Sequence, residues 1–213
     1  MIKNVFTILF QRREFFLGLT LEHLGIAGLA ILFSSLLGLF LGLLISEYGR
    51  LARVVTGASN IIYTIPSISL LGFLLPVTGI GNTTAVIALT VYGLLPVIGN
   101  TYTGMKNIDP DVAEAAKGMG TSRWQMLWKI KLPLALPVII SGMRTMVVMT
   151  IALGGIASFI GAGGLGVAIY RGITTNNMAM TVAGSLLIAV IAVVLDSGIH
   201  LIEKIIPWKR SIK

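Results

Sequence analysis

The chain alternates long apolar runs with short polar connections. Five of these runs are long enough to cross a bilayer, because a spanning helix needs roughly 20 mostly apolar residues. The five runs cover residues 24–45, 54–75, 84–105, 138–160 and 178–201. The pattern therefore predicts an all-α, polytopic membrane protein with about five transmembrane helices, forming a single transmembrane domain over residues 1–213.

Three prolines lie in or beside the second and third runs: Pro66, Pro76 and Pro96. Proline has no N–H to donate and frees a carbonyl one turn earlier, and in a bilayer that carbonyl needs another partner. We expect bends at these positions, facing protein or a cavity.

One connection, residues 109–133, is polar and has its own helical pattern. Asp109 is a favourable N-cap with Pro110 at the first helical position, and the glycines at 118 and 120 predict the end of this helix. Ser122 and Gln125 then form a capping-box pattern that starts a second helix. Pro133 is predicted to end or bend it.

Both short helices are two-sided. The residues predicted to share an apolar face are Val112, Ala115, Ala116 and Met119 in the first helix, and Trp124, Leu127 and Trp128 in the second. Such a segment could rest on lipid, with the indoles at headgroup depth. It could also dock on a protein, because Ala115, Ala116, Gly118 and Gly120 allow a close approach. Periodicity leaves both interpretations open.

Composition agrees with a membrane protein and limits its chemistry. The chain is 55% hydrophobic and 11% charged, has no cysteine and carries a net charge of +8. The absence of cysteine excludes disulfides and thiol catalysis. The positive charge is spread over several connections and forms no dense basic stripe, which argues against a nucleic-acid partner.

The basic residues also predict an orientation, because cytoplasmic connections are enriched in Lys and Arg. With the polar segment inside, the cytoplasmic set is Arg50, Arg53, Lys106, Lys117, Arg123, Lys129, Lys131, Lys204, Lys209, Arg210 and Lys213. The outer set is Lys3, Arg12, Arg13 and Arg171. This places the N-terminus outside and the C-terminus in the cytoplasm.

The N-terminal segment, residues 1–22, is not a convincing secretory signal. Charged residues, Arg12 to Glu14 and Glu22, precede an apolar run that is too long for a signal h-region. We expect that run to be retained as a span, with room for an interfacial helix before it.

The sequence shows no catalytic motif of its own. It has no Walker A motif, no paired carboxylates in a cleft and no Ser-His-Asp arrangement, so no catalytic, cofactor or metal residue is assigned. GAGGLG at 161–166 matches G-x-G-x-x-G but lacks the strand and the acidic residue of a dinucleotide site. We expect a tight external turn or re-entrant stretch there.

Asp196 lies inside the last apolar run. An intramembrane acid is a functional candidate, which leaves open an ion-coupled secondary transporter or a small channel. The favoured interpretation is an acid near the cytoplasmic end that pairs with Arg144.

The string EAAKGMGTSRWQMLWKIKLPLALP, residues 114–137, resembles the EAA signature of bacterial ABC importer permeases. The matching residues are Glu114, Ala115, Ala116, Gly118, Leu132 and Pro133. The resemblance implies a type I importer fold in which residues 109–133 form a coupling helix that contacts a cytoplasmic ATPase subunit. ATP would be bound by that subunit and not by this chain.

Residues 64–76, 94–110 and 157–173 are similar to permeases of the osmoprotectant or quaternary-amine family, which import glycine betaine, carnitine and choline. The resemblance implies a second permease, identical or related, in a bacterial cytoplasmic membrane. It also implies a separate extracellular or periplasmic binding protein, because nothing follows Lys213. The aromatic cage that holds a quaternary amine is expected on that binding protein.

Overall fold

The computed structural model describes residues 2–205, which form helices and turns with no strand among them. The charged residues Lys209, Arg210 and Lys213, predicted to be cytoplasmic, lie outside the described residues. The α-helices are α1 (Ile2–Gln11), α2 (Arg13–Glu47), α3 (Gly49–Thr64), α4 (Ser67–Thr78), α5 (Asn82–Lys106), α6 (Pro110–Gly118), α7 (Arg123–Gln125), α8 (Leu132–Gly154), α9 (Gly166–Thr174) and α10 (Met178–Ile205).

Four helical segments of residues 2–205 are long and apolar enough to cross a membrane, and a bent pair raises the number to five. The segments are Arg13–Glu47, Asn82–Lys106, Arg123–Gly154 and Met178–Lys204. The first is 35 residues long and rises about 52 Å, well beyond the roughly 30 Å hydrocarbon core. The span predicted at 24–45 is therefore only part of a longer helix, which begins eleven residues earlier at Arg13.

The second predicted span, 54–75, is not one helix. It divides into α3 and α4, which meet at an angle of 102°. Pro66 stands at the break, and the Tyr92 hydroxyl of α5 donates a hydrogen bond to the Ile65 carbonyl there. The bend expected at Pro66 is confirmed, whereas α4 and α5 continue through Pro76 and Pro96.

The centre of the fold is a close packing of α5 between α2 and α8. Small residues permit it: a Cβ built on Gly42 would lie 2.5 Å from the Thr101 Cβ, and one built on Gly142 would lie 2.5 Å from the Asn100 Cβ. Helices in a membrane associate through such close contacts because lipid gives no hydrophobic drive between them.

Polar contacts between helix ends group those ends at two opposite sides of the protein. At one end, Glu22 of α2 meets Asn82 at the start of α5 and the turn after α8. At the other end, Glu47 of α2 meets Lys131, just before α8. The chain therefore runs alternately up and down, and the polar segment 109–133 lies at the second end.

Candidate functional site

The polar segment, residues 109–133, contains the first helix that the caps predicted. The Asp109 carboxylate accepts a hydrogen bond from the Asp111 N–H at 2.9 Å, and Pro110 occupies the first turn. The helix ends in a Schellman motif, in which Thr121 N–H donates to the Ala116 carbonyl and Gly120 N–H donates to the Lys117 carbonyl. Gly120 has φ +79°, which explains why a glycine stands there.

The second helix starts at the predicted capping box. Gln125 N–H donates to the Ser122 hydroxyl at 3.3 Å, and Ser122 N–H donates to the Gln125 side-chain oxygen at 3.0 Å. The two short helices are thereby separated by a turn of fixed geometry.

Of the two outcomes predicted for Pro133, an end or a bend of the second helix, the end is wrong. The backbone is π-helical over Met126–Lys131 and then continues into α8, so that Arg123–Gly154 is one helical segment of 32 residues. Leu132 N–H donates to the carbonyl of Leu127, five residues back. This wider pattern lets the helix pass Pro133, which has no N–H to donate and would otherwise clash with the preceding turn.

The predicted apolar face of α6 is not buried as a unit. Ala116 is 2% exposed and packs inside the chain, whereas Met119 is 80% exposed. Val112, Ala115 and Gly118 are also exposed. The face available to another protein therefore contains Ala115 and Gly118, and Ala116 has a packing role within the chain.

Gly118 has open space around it. A Cβ built at this position has no atom of the chain within 4 Å. The smallness of Gly118 is consequently not required by its own fold.

The apolar stripe predicted for the second helix is divided in the same way. Trp124 and Trp128 are 70% and 52% exposed, and their rings stack with centroids 6.5 Å apart. Leu127 packs against a core of Met105, Ala135 and Ile139, which Leu132 joins. Met126 is also buried, although the predicted stripe does not include it. That prediction assumed α-helical spacing, and the π-helical turn changes the spacing of side chains.

Two ion pairs hold the second helix and its continuation, α8, to the rest of the chain. Lys131 Nζ lies 2.8 Å from Glu47 Oε1 at the end of α2. Further along, Arg144 of α8 donates from Nε and Nη2 to the Asp196 carboxylate of α10, so the predicted pair is present. Arg144 Nη1 also lies 3.5 Å from His200 Nδ1, so that His200 is a second polar group on α10 beside this pair.

At the opposite end, the GAGGLG turn is held by two residues that sequence reasoning missed. Gly163 N–H donates to Asn82 Oδ1 at 2.8 Å, and Gly164 N–H donates to Glu22 Oε2 at 3.0 Å. A Cβ on Gly163 would lie 1.9 Å from the Glu22 carboxyl carbon, so the glycine is needed for this approach. The predicted tight turn is present and connects a 3₁₀ turn, Ala157–Ile160, to α9.

His23 is buried beside this turn. Its Nε2–H donates to the Ile151 carbonyl at 3.1 Å, which gives the imidazole a structural role. Within residues 2–205 no group of three His, Asp or Glu side chains could hold a metal ion.

Residues 34–206 match the family described as the binding-protein-dependent transport system inner membrane component. The chain belongs to this family. It is therefore a multi-pass permease of the cytoplasmic membrane and the transport subunit of its system, distinct from the ATPase. The family excludes the ion-coupled secondary transporter and the small channel that the sequence left open.

Curated relatives of the permease agree with one another. It is 41% identical over 196 residues to the osmoprotectant import permease protein OsmW of Salmonella typhimurium, covering 90% of this chain and 91% of the relative. It is 40% identical over 192 residues to the glycine betaine/carnitine/choline transport system permease protein OpuCD of Bacillus subtilis, covering 89% of this chain and 84% of the relative.

Solved structures show the same fold. The permease aligns with a chain of the MetNI methionine ABC transporter in an inward-facing conformation with a TM-score of 0.81 and 23% identity, covering 88% of this chain and 94% of that one. This likeness confirms the type I ABC importer permease fold.

Proposed function

We propose that this permease imports an osmoprotectant or quaternary amine of the glycine betaine, carnitine or choline type, delivered by a separate binding protein. The observation that carries the proposal is the agreement of the relatives: proteins with about 40% identity over nearly their whole length are named for these solutes. The similarity of residues 64–76, 94–110 and 157–173 to that family supports it further.

The exposed face of α6 supports the second part of the proposal, that Glu114, Ala115 and Gly118 contact a cytoplasmic ATPase subunit. These residues lie on a short helix with fixed caps, and Gly118 is uncrowded within its own chain. Leu132 and Pro133 mark the point where the segment becomes α8. A displacement of the second helix would move α8 with it, because Arg123–Gly154 is one helical segment.

The C-terminal end of α8, at Gly154, is the second part of the proposed mechanism, because it connects the polar segment to the opposite end of the protein. After Gly154 the chain enters the 3₁₀ turn and the glycine turn held by Glu22 and Asn82. We propose that closure of two ATPase subunits moves the helices of two permease subunits, identical or related, and changes the side on which the pathway is open.

We propose further that the N-terminus lies outside and the C-terminus in the cytoplasm. The support is the basic asymmetry together with the placement of Arg123 and Lys131 at one end and Arg171 at the other. Because the chain has no cysteine, Ser122→Cys and Thr175→Cys each give a single reactive thiol. We expect an impermeant maleimide to label position 122 only from the cytoplasm and position 175 only from outside, and the reverse pattern would overturn the orientation.

The solute is tested by uptake into proteoliposomes that contain the permease, its ATPase and its binding protein. We expect ATP-dependent accumulation of radiolabelled glycine betaine, carnitine or choline, and competition among those solutes. Accumulation of an ordinary amino acid that none of the three inhibits would overturn the proposal.

The coupling role is tested by Gly118→Leu, with Gly18→Leu as the matched control. A Cβ at either glycine has no atom of the chain within 4 Å, so both variants should fold and insert. We expect Gly118→Leu to lower uptake by more than about tenfold, the factor for loss of about 1.4 kcal/mol of coupling, while Gly18→Leu retains uptake. Normal uptake by Gly118→Leu would contradict the role of this face.

A further inference from the structure

A groove lies between the end of α2 and the start of the second helix of the polar segment. Its volume is about 600 Å³. We call it the interfacial groove, and its apolar and aromatic lining is Phe40, Leu43, Leu44, Tyr48, Trp124, Leu127 and Trp128. The stacked, exposed indoles form one wall, and the exposed Phe40 and Tyr48 lie on the other.

A second cavity adjoins this groove and has the opposite chemistry. Its volume is about 370 Å³, and its basic lining residues are Lys117, Arg123 and Lys131. The two cavities share Glu47, Arg123 and Leu127. A long apolar slot therefore opens directly into a cationic pocket.

The charges of the pocket do not cancel. Glu47, the acidic residue of its lining, is paired with Lys131 at 2.8 Å. Within residues 2–205, neither Lys117 nor Arg123 forms a salt bridge. Two cations thus remain to attract an anion.

An apolar slot beside two cations matches a molecule with a hydrocarbon chain at one end and a phosphate at the other. We expect the groove at the level of the lipid headgroups, because α2 ends at Glu47, two residues after the predicted span 24–45, and Trp and Tyr residues are typical of that level. We propose that the interfacial groove binds an anionic phospholipid, with an acyl chain along Phe40, Leu43 and Leu44 and the headgroup phosphate at Arg123 and Lys117.

Charge selects this occupant over a neutral lipid. A zwitterionic headgroup brings no net negative charge to Arg123 and Lys117, whereas an anionic one does, and each such cation near a membrane surface strengthens the attraction about fivefold. The groove is also distinct from the exposed face of α6, because neither Ala115 nor Gly118 lines either cavity. Although α6 contributes Ala113 and Lys117 to the cationic pocket, we expect a lipid in the groove and a protein on that face to be bound together.

The test uses fluorescence of the two groove tryptophans. The full chain with Trp208→Phe is placed in nanodiscs of phosphatidylcholine that contain a minor fraction of lipid with brominated acyl chains, either phosphatidylglycerol or phosphatidylcholine. Bromine quenches indole fluorescence on contact. We expect brominated phosphatidylglycerol to quench at a lower fraction than brominated phosphatidylcholine, and this readout requires no transport.

Variants assign the preference to the pocket. We expect Arg123→Gln to reduce the preference for brominated phosphatidylglycerol about fivefold, Arg123→Lys to retain most of it, and the matched control Arg53→Gln, on the exposed side of α3, to leave it unchanged. Equal quenching by the two lipids would overturn the proposal, as would an unchanged preference in Arg123→Gln. Loss of the phosphatidylglycerol effect when the ATPase subunits bind would assign the groove to protein contact and equally overturn it.

Discussion

The two helices of the polar segment meet at Thr121 but relate to the rest of the chain in opposite ways. In α6 only Ala116 is buried, and no side chain of this helix forms a salt bridge within residues 2–205. The second helix buries Met126, packs Leu127 on the core and continues into α8. The first helix is thus largely exposed, as its proposed docking role requires, and the second belongs to a segment long and apolar enough to span a membrane.

This difference separates the helix proposed to contact a partner from the helix proposed to transmit its movement. In the proposed mechanism, a partner on α6 contacts a helix fixed by its caps. The movement would then reach the membrane through the continuous helical segment Arg123–Gly154, which has 32 residues and is about 48 Å long. Each of the following substitutions is chosen to disturb either α6 or the segment Arg123–Gly154 and to leave the other unchanged. They are given in order of decreasing expected effect.

Ile130→Pro should break the continuous helical segment Arg123–Gly154. Proline within a helix removes a hydrogen bond and costs about 3 kcal/mol or more, and position 130 lies in the π-helical turn. We expect uptake to be lost while the ATPase still binds, measured by co-purification and by transport in proteoliposomes. Ile130→Leu is the control, because it keeps an apolar side chain and the backbone N–H, and it should transport normally. Retained uptake in Ile130→Pro would show that the continuous helical segment is not needed.

Ala116→Leu and Ala115→Leu should separate packing from docking. Overpacking a buried site typically costs about 1–3 kcal/mol, so Ala116→Leu should lower the Tm of the purified permease in detergent. Ala115 is exposed, so Ala115→Leu should leave the Tm unchanged and lower uptake as Gly118→Leu does. Equal loss of Tm in both variants would refute the division of this face.

Asp109→Ala should loosen α6 alone. Loss of an N-cap costs about 1 kcal/mol, so amide hydrogen exchange in α6 should accelerate on the order of fivefold, with no change in α8. Asp109→Asn keeps a capping oxygen and should exchange at the original rate. Faster exchange that extends into α8 would mean that the two helices are not independent.

Lys131→Gln should have the smallest effect. The pair with Glu47 is partly exposed, with side-chain exposures of 26% and 47%, and exposed pairs contribute about 0.2–1 kcal/mol. A double-mutant cycle with Glu47→Gln, read from Tm, measures the coupling. A value well above that range would make this contact a main attachment of the second helix.

Local features of the polar segment could be predicted from the sequence. Asp109, the glycine at 120 and the Ser122–Gln125 capping box act within one helical turn, and each is found as expected. The existence of the spans also follows from hydropathy alone. These features depend on residues that are neighbours in the chain.

What could not be predicted depends on distant partners. The burial of Ala116 beside an exposed Ala115 is set by packing and not by composition. Glu22 and Asn82 bind a turn that lies 142 and 81 residues further along the chain, respectively. No local sequence pattern predicts either contact. The passage through Pro133 was missed because a helical period of 3.6 does not anticipate a π-helical turn.

The pairing of Arg144 with Asp196 has a consequence for the order of synthesis. Arg144 emerges in the fourth span, and its carboxylate partner follows 52 residues later. An unpaired arginine is costly inside a bilayer. Arg144 of α8 can therefore be neutralised by Asp196 only after α10 has been made, so this ion pair forms late in the biogenesis of the membrane-inserted chain.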